Sequence, residues 1–212
     1  MAQWYGNIGK ITLPTPFAVG DVNVYIVKGD TLTLVDAAIK TDETWEIFVH
    51  ELKQLGYNPK DIEQVVITHH HPDHVGLLDY LEVPIIGHEY NKRWLIRDEE
   101  FMREYREFYS RLFDEAAVPQ QLKTNIRKME ATLQFSSQRS LNLTVEEGME
   151  IPGLPGWFVI ETPGHAQSHI SLIHQKKGIV IGGDHIFATQ SSNPLFETPL
   201  IKNRLLFTSK CV

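Results

Sequence analysis

A single cysteine, Cys211, in 212 residues leaves no internal disulfide and no thiolate ligand set, so the chain relies on neither cross-links nor sulfur chemistry. That usage fits a reducing compartment, and a cytoplasmic location is expected. Long apolar runs are also missing. No stretch approaches the roughly 18 consecutive apolar residues that a membrane span needs, and the opening MAQWYGNIGK lacks a basic region followed by an apolar core. A soluble protein with no membrane partner is expected. Basic charge is scarce too: 20 Lys and Arg against 27 Asp and Glu give a formal charge of -7. Such a surface is poorly suited to holding a polyanion by counterion release, which excludes nucleic acid as an expected partner. Internal repeats, linkers and low-complexity segments are absent as well.

What remains is ordinary globular composition, 42% hydrophobic and 22% charged. The length suits one domain over residues 1–212, large enough to bury a core. The first third alternates β-rich runs with turns, ITLPTPF, VNVYIVKG and TLTLVDAA; the turn at Gly29 and Asp30 makes the last two adjacent antiparallel strands. TDETWEIFVHELKQLG follows, with Trp45, Phe48, Leu52 and Leu55 at helical spacing and Gly56 as the stop. A buried strand over Val65 to Thr68, a polar loop, a short helix over Leu77 to Leu81 and a strand at VPIIG come next.

Residues of about 91–138 read as a helical insertion. Phe101, Tyr105, Phe108 and Leu112 form one stripe, and Leu122, Ile126 and Met129 another. The stripes are expected to pack on the core, with pocket lining or dimer formation as a compatible alternative, so a homo-oligomer stays open. Strands return in LTVEEGMEI, WFVIETPG, HISLIHQ and GIVIGGD, with QKKG turning between the last two. The fold class is α/β, two sheet halves covered by helices.

Chemistry concentrates where three of these strands end. THHHPDHVGL holds His69, His71, Asp73 and His74 in six positions; WFVIETPGH ends on His165, and GIVIGGD ends on Asp184. Glycines 164 and 183 let the backbone turn tightly there. Imidazole and carboxylate suit zinc and related divalent ions, so His69, His71, Asp73, His74, His165 and Asp184 are candidate ligands. His69 and His71 can point one way, and Asp73 and His74 another. His70 is expected to be a surface or supporting group, and His169 and His185 to orient ligands through hydrogen bonds. His50, His88 and His174 lie on ordinary segments and are taken as structural.

Together THHHPDHVG, ETPGHAQSH and GGDHIF resemble, in order, the HxHxDH signature and the next two motifs of the metallo-β-lactamase superfamily, a likeness running from Ile11 to Phe187. The resemblance implies an αββα sandwich with two metals along one edge. By that likeness His69, His71 and His165 hold the first metal, Asp73 and His74 belong to the second, and Asp184 bridges both. Asp36, ending LTLVDAA, resembles the family's strand-end aspartate and is expected to support a ligand. Two departures stand out. Ala38 occupies a position where the family has glycine, and no histidine follows His185, where the family supplies one more ligand downstream. Either the chain is shortened or altered at its C-terminus, which is the expectation, or the second site is incomplete.

Two Zn2+ ions are the implied cofactors, with iron or manganese as alternatives. Zinc lowers the pKa of bound water to roughly 7, and the hydroxide so made can attack a carbonyl while a second ion polarises the substrate oxygen. Asp73 has two candidate jobs, ligand and acceptor of the water's proton. The chain looks most like the glyoxalase II-like (hydroxyacylglutathione hydrolase-like) and lactonase-like branches, without the C-terminal helical domain that grips glutathione. A small acyl ester, thioester or lactone is the expected substrate. In the insertion, Phe101, Tyr105, Phe108 and Tyr109 with Arg103, Arg106 and Arg111 suit an acyl group with an acidic end, or form a solvated face. A phosphodiesterase of the same fold, and a binding module that has lost turnover, are the alternatives.

Overall fold

Apolar residues on both sides of successive strands build a sheet that is buried on both faces. The computed structural model describes residues 2–187, 191–193 and 195–198; Cys211 and the closing stretch 199–212 lie outside the described residues. Strands β1 (Gln3–Tyr5), β2 (Ile8–Leu13), β3 (Val22–Lys28) and β4 (Leu32–Val35) pair antiparallel in chain order. The sheet continues in parallel through β5 (Gln64–Val66), β6 (Ile85–Gly87) and β7 (Leu143–Thr144), giving seven strands. A second sheet of three antiparallel strands, β8 (Phe158–Glu161), β9 (Ile170–His174) and β10 (Ile179–Ile181), faces it.

Strand periodicity divides the core in two. Val24, Ile26, Leu34, Val65 and Ile85 point to the outer side of the large sheet, where Phe48 and Leu52 of helix α1 (Asp42–Gln54) meet them. Their neighbours Val27, Val35, Val66 and Ile86 point the other way, against Val159, Ile170, Leu172 and Ile181 of the second sheet. Each such side chain contributes about 1.5–3 kcal/mol by leaving water, so a one-residue register slip in β4 or β5 exchanges the two cores and is strongly disfavoured. The α/β sandwich expected from the motifs is present. On the outer face of the three-stranded sheet, Phe158, Ile160 and Ile173 are half-buried and Val180 is exposed, and among the described residues no helix longer than a 3-10 turn follows β10.

Local signals explain the boundaries. Thr41 caps α1, its hydroxyl accepting from Thr44 N at 3.1 Å, and Gly56 at φ +90° ends it. The short helix expected at 77–81 starts earlier: α2 (Pro72–Val75) opens on a proline whose fixed φ suits a first helical position, and a 3-10 turn over Gly76–Tyr80 follows. The stretch LTVEEGMEI is a strand only over its first two residues. Gly148, at φ +79°, turns the chain out of the first sheet, and its N–H bonds to Val159 of the second.

The insertion contains α3 (Asn91–Ile96), α4 (Glu99–Glu115) and α5 (Asn125–Thr132). Its stripes do not join either main core. Trp94, Phe101, Tyr105 and Tyr109 form a third cluster, edged by Phe108, Leu112, Ile126 and Met129, while Leu122 is exposed. The reason is the register of α4: Tyr109, four residues after Tyr105, continues the buried face more directly than Phe108 does.

Candidate metal centre

In a sheet with parallel strands, ligands gather at the carboxyl ends of those strands. β4 ends there on Asp36 and β5 on Thr68 and the histidine run; the second sheet brings His165 after β8 and Asp184 after β10. The N–H of Ile170 donates to the carbonyl of Thr68 at 2.9 Å, tying the two sheets together at this edge. Close packing fixes the loop after β4 on α2. Ala37 N donates to His74 O, and Gly76 N to Ala38 O, both at 2.7 Å. A Cβ on Gly76 would lie 2.1 Å from Lys40 N, so only glycine allows this approach.

Five of the six predicted ligands converge in two overlapping groups. His69, His71 and His165 form one, and His69, His74 and Asp184 the other, the donor atoms of each lying within 4.8 Å of one another. His69 thus faces both groups, rather than pairing with His71 alone. Asp184 lies between them, Oδ1 at 3.2 Å from His74 Nε2 and Oδ2 at 3.4 Å from His165 Nε2, so each oxygen faces one group. Asp73 differs. From the second position of α2 its carboxylate lies 3.7 Å from His74 Nε2, beside the group that His69, His74 and Asp184 form, rather than within 4.8 Å of all its members.

Hydrogen bonds on the outer side of each ring determine what faces inward. His165 Nδ1 lies 2.9 Å from the carbonyl of Asn193, an acceptor only, so Nδ1 carries the proton and Nε2 a lone pair. The Thr68 hydroxyl donates to Asp36 Oδ2 at 2.8 Å and must therefore accept from His69 Nδ1 at 3.0 Å, leaving a lone pair on His69 Nε2. His71 Nε2 faces the Glu197 carboxylate at 3.3 Å, so its inward Nδ1 is also unprotonated. Both His69 Nε2 and His165 Nε2 lie 2.9 Å from that Nδ1. Three lone pairs on one point repel unless a cation sits among them. His74 repeats the pattern: Nδ1–H donates to Asp36 Oδ2 at 2.9 Å, and the buried Nε2 has no hydrogen-bond partner. The donor set therefore fits divalent ions at both groups.

Electrostatics agree. Burial, then repulsion from His74, His71 and the other rings, lowers His69 well below an ordinary imidazole. The same causes lower His165, and take His169 down to about 3. His74 goes the other way: burial opposes its charge, yet Asp36, Asp73 and Asp184 raise it well above the usual value. Burial works to raise Asp184 as well, but His74 first and then the other imidazoles hold it below the carboxylate range.

Asp36 supports His74 as expected, and also accepts from Thr68 N at 2.7 Å. Its φ of +62° and the +40° of Ala38 make this a strained left-handed turn, the conformation that glycine would relieve at position 38. His169 orients a ligand: Nε2 accepts from Asp184 N at 3.1 Å while Nδ1 meets the Thr162 hydroxyl at 2.7 Å. His185 holds no ligand by hydrogen bond among the described residues; its ring lies 6.1 Å from that of His169. His50 is exposed, His88 bonds Tyr90 N, and His174 packs on Trp157, all apart from the centre.

His70 is not a surface group. It is buried, stacked on Trp94 at 4.1 Å, bonded to Ser168 Oγ at 2.8 Å and 3.1 Å from Glu197, and burial takes it down to about 4. Glu197 had no signal in the sequence: ETPL shows no motif, and the carboxylate arrives through the tertiary fold alone. The insertion's arginines take the solvated alternative. Arg103, Arg106 and Arg111 are exposed, with Arg106 paired to Glu130 and Arg103 3.8 Å from Glu100. Among the described residues no helix is long and apolar enough to cross a membrane.

Comparison with known proteins completes the picture. A profile of the metallo-beta-lactamase superfamily matches residues 18–200. The probable metallo-hydrolase YqjP of Bacillus subtilis (strain 168) is 46% identical over 195 residues, 91% of this chain and 61% of that protein. The probable metallo-hydrolase YflN of the same strain is 23% identical over 181 residues, 79% of this chain and 62% of that protein. Among solved structures, a metallo-beta-lactamase family protein from Thermus thermophilus superposes with a TM-score of 0.77 at 25% identity, covering 92% of this chain and 64% of that one. The chain thus spans just over three fifths of the length of these relatives.

Proposed function

Because the chain belongs to the metallo-beta-lactamase superfamily, we propose that it carries out metal-dependent hydrolysis of a small acyl ester, thioester or lactone in the cytoplasm. The observation that carries the reading is the convergence of lone pairs: His69 Nε2, His71 Nδ1 and His165 Nε2 meet, while the outward nitrogens of His69 and His165 are hydrogen-bonded to acceptors and that of His71 faces the Glu197 carboxylate. Two ions are the proposed complement, zinc first and iron or manganese as alternatives. His69, His71 and His165 would hold one, and His74 and Asp184, with His69 nearby, would hold the other. When bound, divalent ions make water nucleophilic at neutral pH and polarise the substrate oxygen.

The chain's own residues do the rest. Asp73, in the same one-turn helix as His74 and 3.7 Å from its Nε2, is the candidate acceptor for the proton released by the attacking water, with a place among the ligands of the second ion as its other candidate job. Asp36 and His169 keep the second group oriented, through His74 Nδ1 and the Asp184 amide. Ile186, Leu195 and Phe196, exposed and close in sequence to Asp184 and Glu197, are the candidate apolar contacts for an acyl chain. Assay against a panel of thioesters, lactones, β-lactams and a phosphodiester, each with zinc, manganese and iron, tests this. Turnover of an acyl substrate that disappears in His71→Ala is expected; hydrolysis retained in that variant, or confined to the phosphodiester, would overturn it.

A further inference from the structure

A third group of metal-type donors adjoins the first. His70 Nε2, His71 Nε2 and a Glu197 oxygen lie within 4.8 Å of one another, and His70 and Glu197 are buried. Glu197 Oε1 is 3.1 Å from His70 Nε2 and 3.3 Å from His71 Nε2, close enough for ion pairing though not aligned as hydrogen bonds, and neither it nor His70 Nε2 has a hydrogen-bond partner among the described residues; Oε2 accepts from Gln167 N at 2.7 Å. Two uses of this carboxylate are open in principle: ligand to a third cation, or hydrogen-bond acceptor for the rings.

Chemistry at His71 decides between them. Its Nδ1 lies 2.9 Å from both His69 Nε2 and His165 Nε2, so that nitrogen is the one turned to the first group. A neutral imidazole has one lone pair, and the other nitrogen carries a proton. For Nε2 to bind a third ion as well, the ring would have to lose its last proton. With Glu197 as acceptor, Nε2–H has its partner and Nδ1 its lone pair, the arrangement that carboxylates commonly impose on metal-binding histidine. His70 fits the same scheme. Its Nδ1 accepts from the Ser168 hydroxyl, and Nε2–H turns to the same carboxylate.

Glu197 is itself held from the insertion. The Tyr109 hydroxyl donates to the carbonyl of Phe196 at 2.7 Å, and Tyr109 belongs to the buried aromatic cluster whose Trp94 stacks on His70. Gln167, two residues after His165, fastens the other side through its backbone N–H.

We propose that Glu197 is a positioning residue that sets the tautomer of His71, aiming Nδ1 at the first group, and that the helical insertion anchors it there through Tyr109. This rests on the metal-centre reading above. The test uses the chain with zinc: affinity and stoichiometry by chelator competition, and the protonated nitrogen of His71 by 15N NMR, on wild type, Glu197→Gln and Tyr109→Phe. Expected is a 10- to 100-fold loss of affinity for one equivalent in Glu197→Gln, with His71 shifting from the Nε2–H form toward a mixture. Tyr109→Phe, which removes only the anchor, should lose several-fold less. Unchanged affinity with His71 still wholly Nε2–H in Glu197→Gln would overturn the inference, as would a third equivalent in wild type that this variant loses. Wild type that binds no zinc would refute the metal-centre reading instead, and the NMR arm on metal-free protein would still decide the role of Glu197. Should Glu197→Gln fail to fold, Tyr109→Phe carries the comparison.

Discussion

Asp36→Asn isolates the support beneath the second group. Asp36 is buried and accepts from Thr68 N at 2.7 Å, from the Thr68 hydroxyl at 2.8 Å and from His74 Nδ1 at 2.9 Å. Asparagine has the same shape and tolerates the φ of +62°, so the backbone should survive. One oxygen can still serve Thr68 N–H, but the amide NH2 then faces His74 Nδ1, donor against donor. His74 escapes by moving its proton to Nε2, the nitrogen that faces Asp184 at 3.2 Å. That tautomer has no lone pair for an ion. Losing such an outer partner costs 10- to 100-fold in metal affinity, about 1.4–2.7 kcal/mol. The His69, His71 and His165 group depends on Asp36 only through Thr68, whose hydroxyl can still donate to the remaining oxygen. Chelator competition followed by zinc stoichiometry should therefore show one equivalent weakened by that factor and the other changed less than threefold. Equal weakening of both, or of neither, would refute the hydrogen-bond logic.

Asp73→Asn should keep the metal content of wild type and lower kcat by roughly 100-fold or more; loss of a metal equivalent in this variant would make Asp73 a ligand instead. Gly183→Ala places a Cβ 2.7 Å from His169 Nε2 and 2.9 Å from Thr68 Oγ1 at a φ of +50°, so thermal unfolding should report a loss of about 1–3 kcal/mol. The metal-free protein should lose stability as pH falls from 6.5 toward 4. His70, at about 4 when folded against 6.5 in the unfolded chain, binds its proton more readily unfolded over that window, a slope worth on the order of 3 kcal/mol in all. His169, at about 3 when folded, and His69 and His165, also lowered, act in the same direction, whereas His74, raised above 6.5, adds little; His70→Gln should therefore make the profile shallower without abolishing it, and an unchanged profile would contradict the assignment. Replacing Arg103, Arg106 and Arg111 together with Gln should leave KM unchanged within about twofold, since exposed pairs are worth little.

The cluster of candidate ligands was legible because its residues sit at strand ends, and strand ends are local. The apolar runs that precede His69, His165 and Asp184 and the glycines that follow or flank them mark three turning points, and imidazole beside carboxylate names the chemistry. Asp36 was legible for the same reason. What tertiary packing alone decides stayed hidden. His69 counts in both groups because its one inward nitrogen lies where the two meet, and Asp73 stands beside His74 because both ride on a one-turn helix starting at Pro72. His70 looked superfluous between two ligands until Trp94, 24 residues on, covered it. Glu197 arrives from a stretch with no periodicity. In α4 the helical pattern was plain, but the choice between Phe108 and Tyr109 on the buried face needed the packing partner.

The most direct test of the centre is metal content of the chain purified without added metal, by mass spectrometry of the bound elements. The account predicts close to two divalent ions per chain, the one at His74 and Asp184 leaving first on acidification because His74 takes up a proton most readily. A chain that holds none, even after dialysis against zinc, would contradict it.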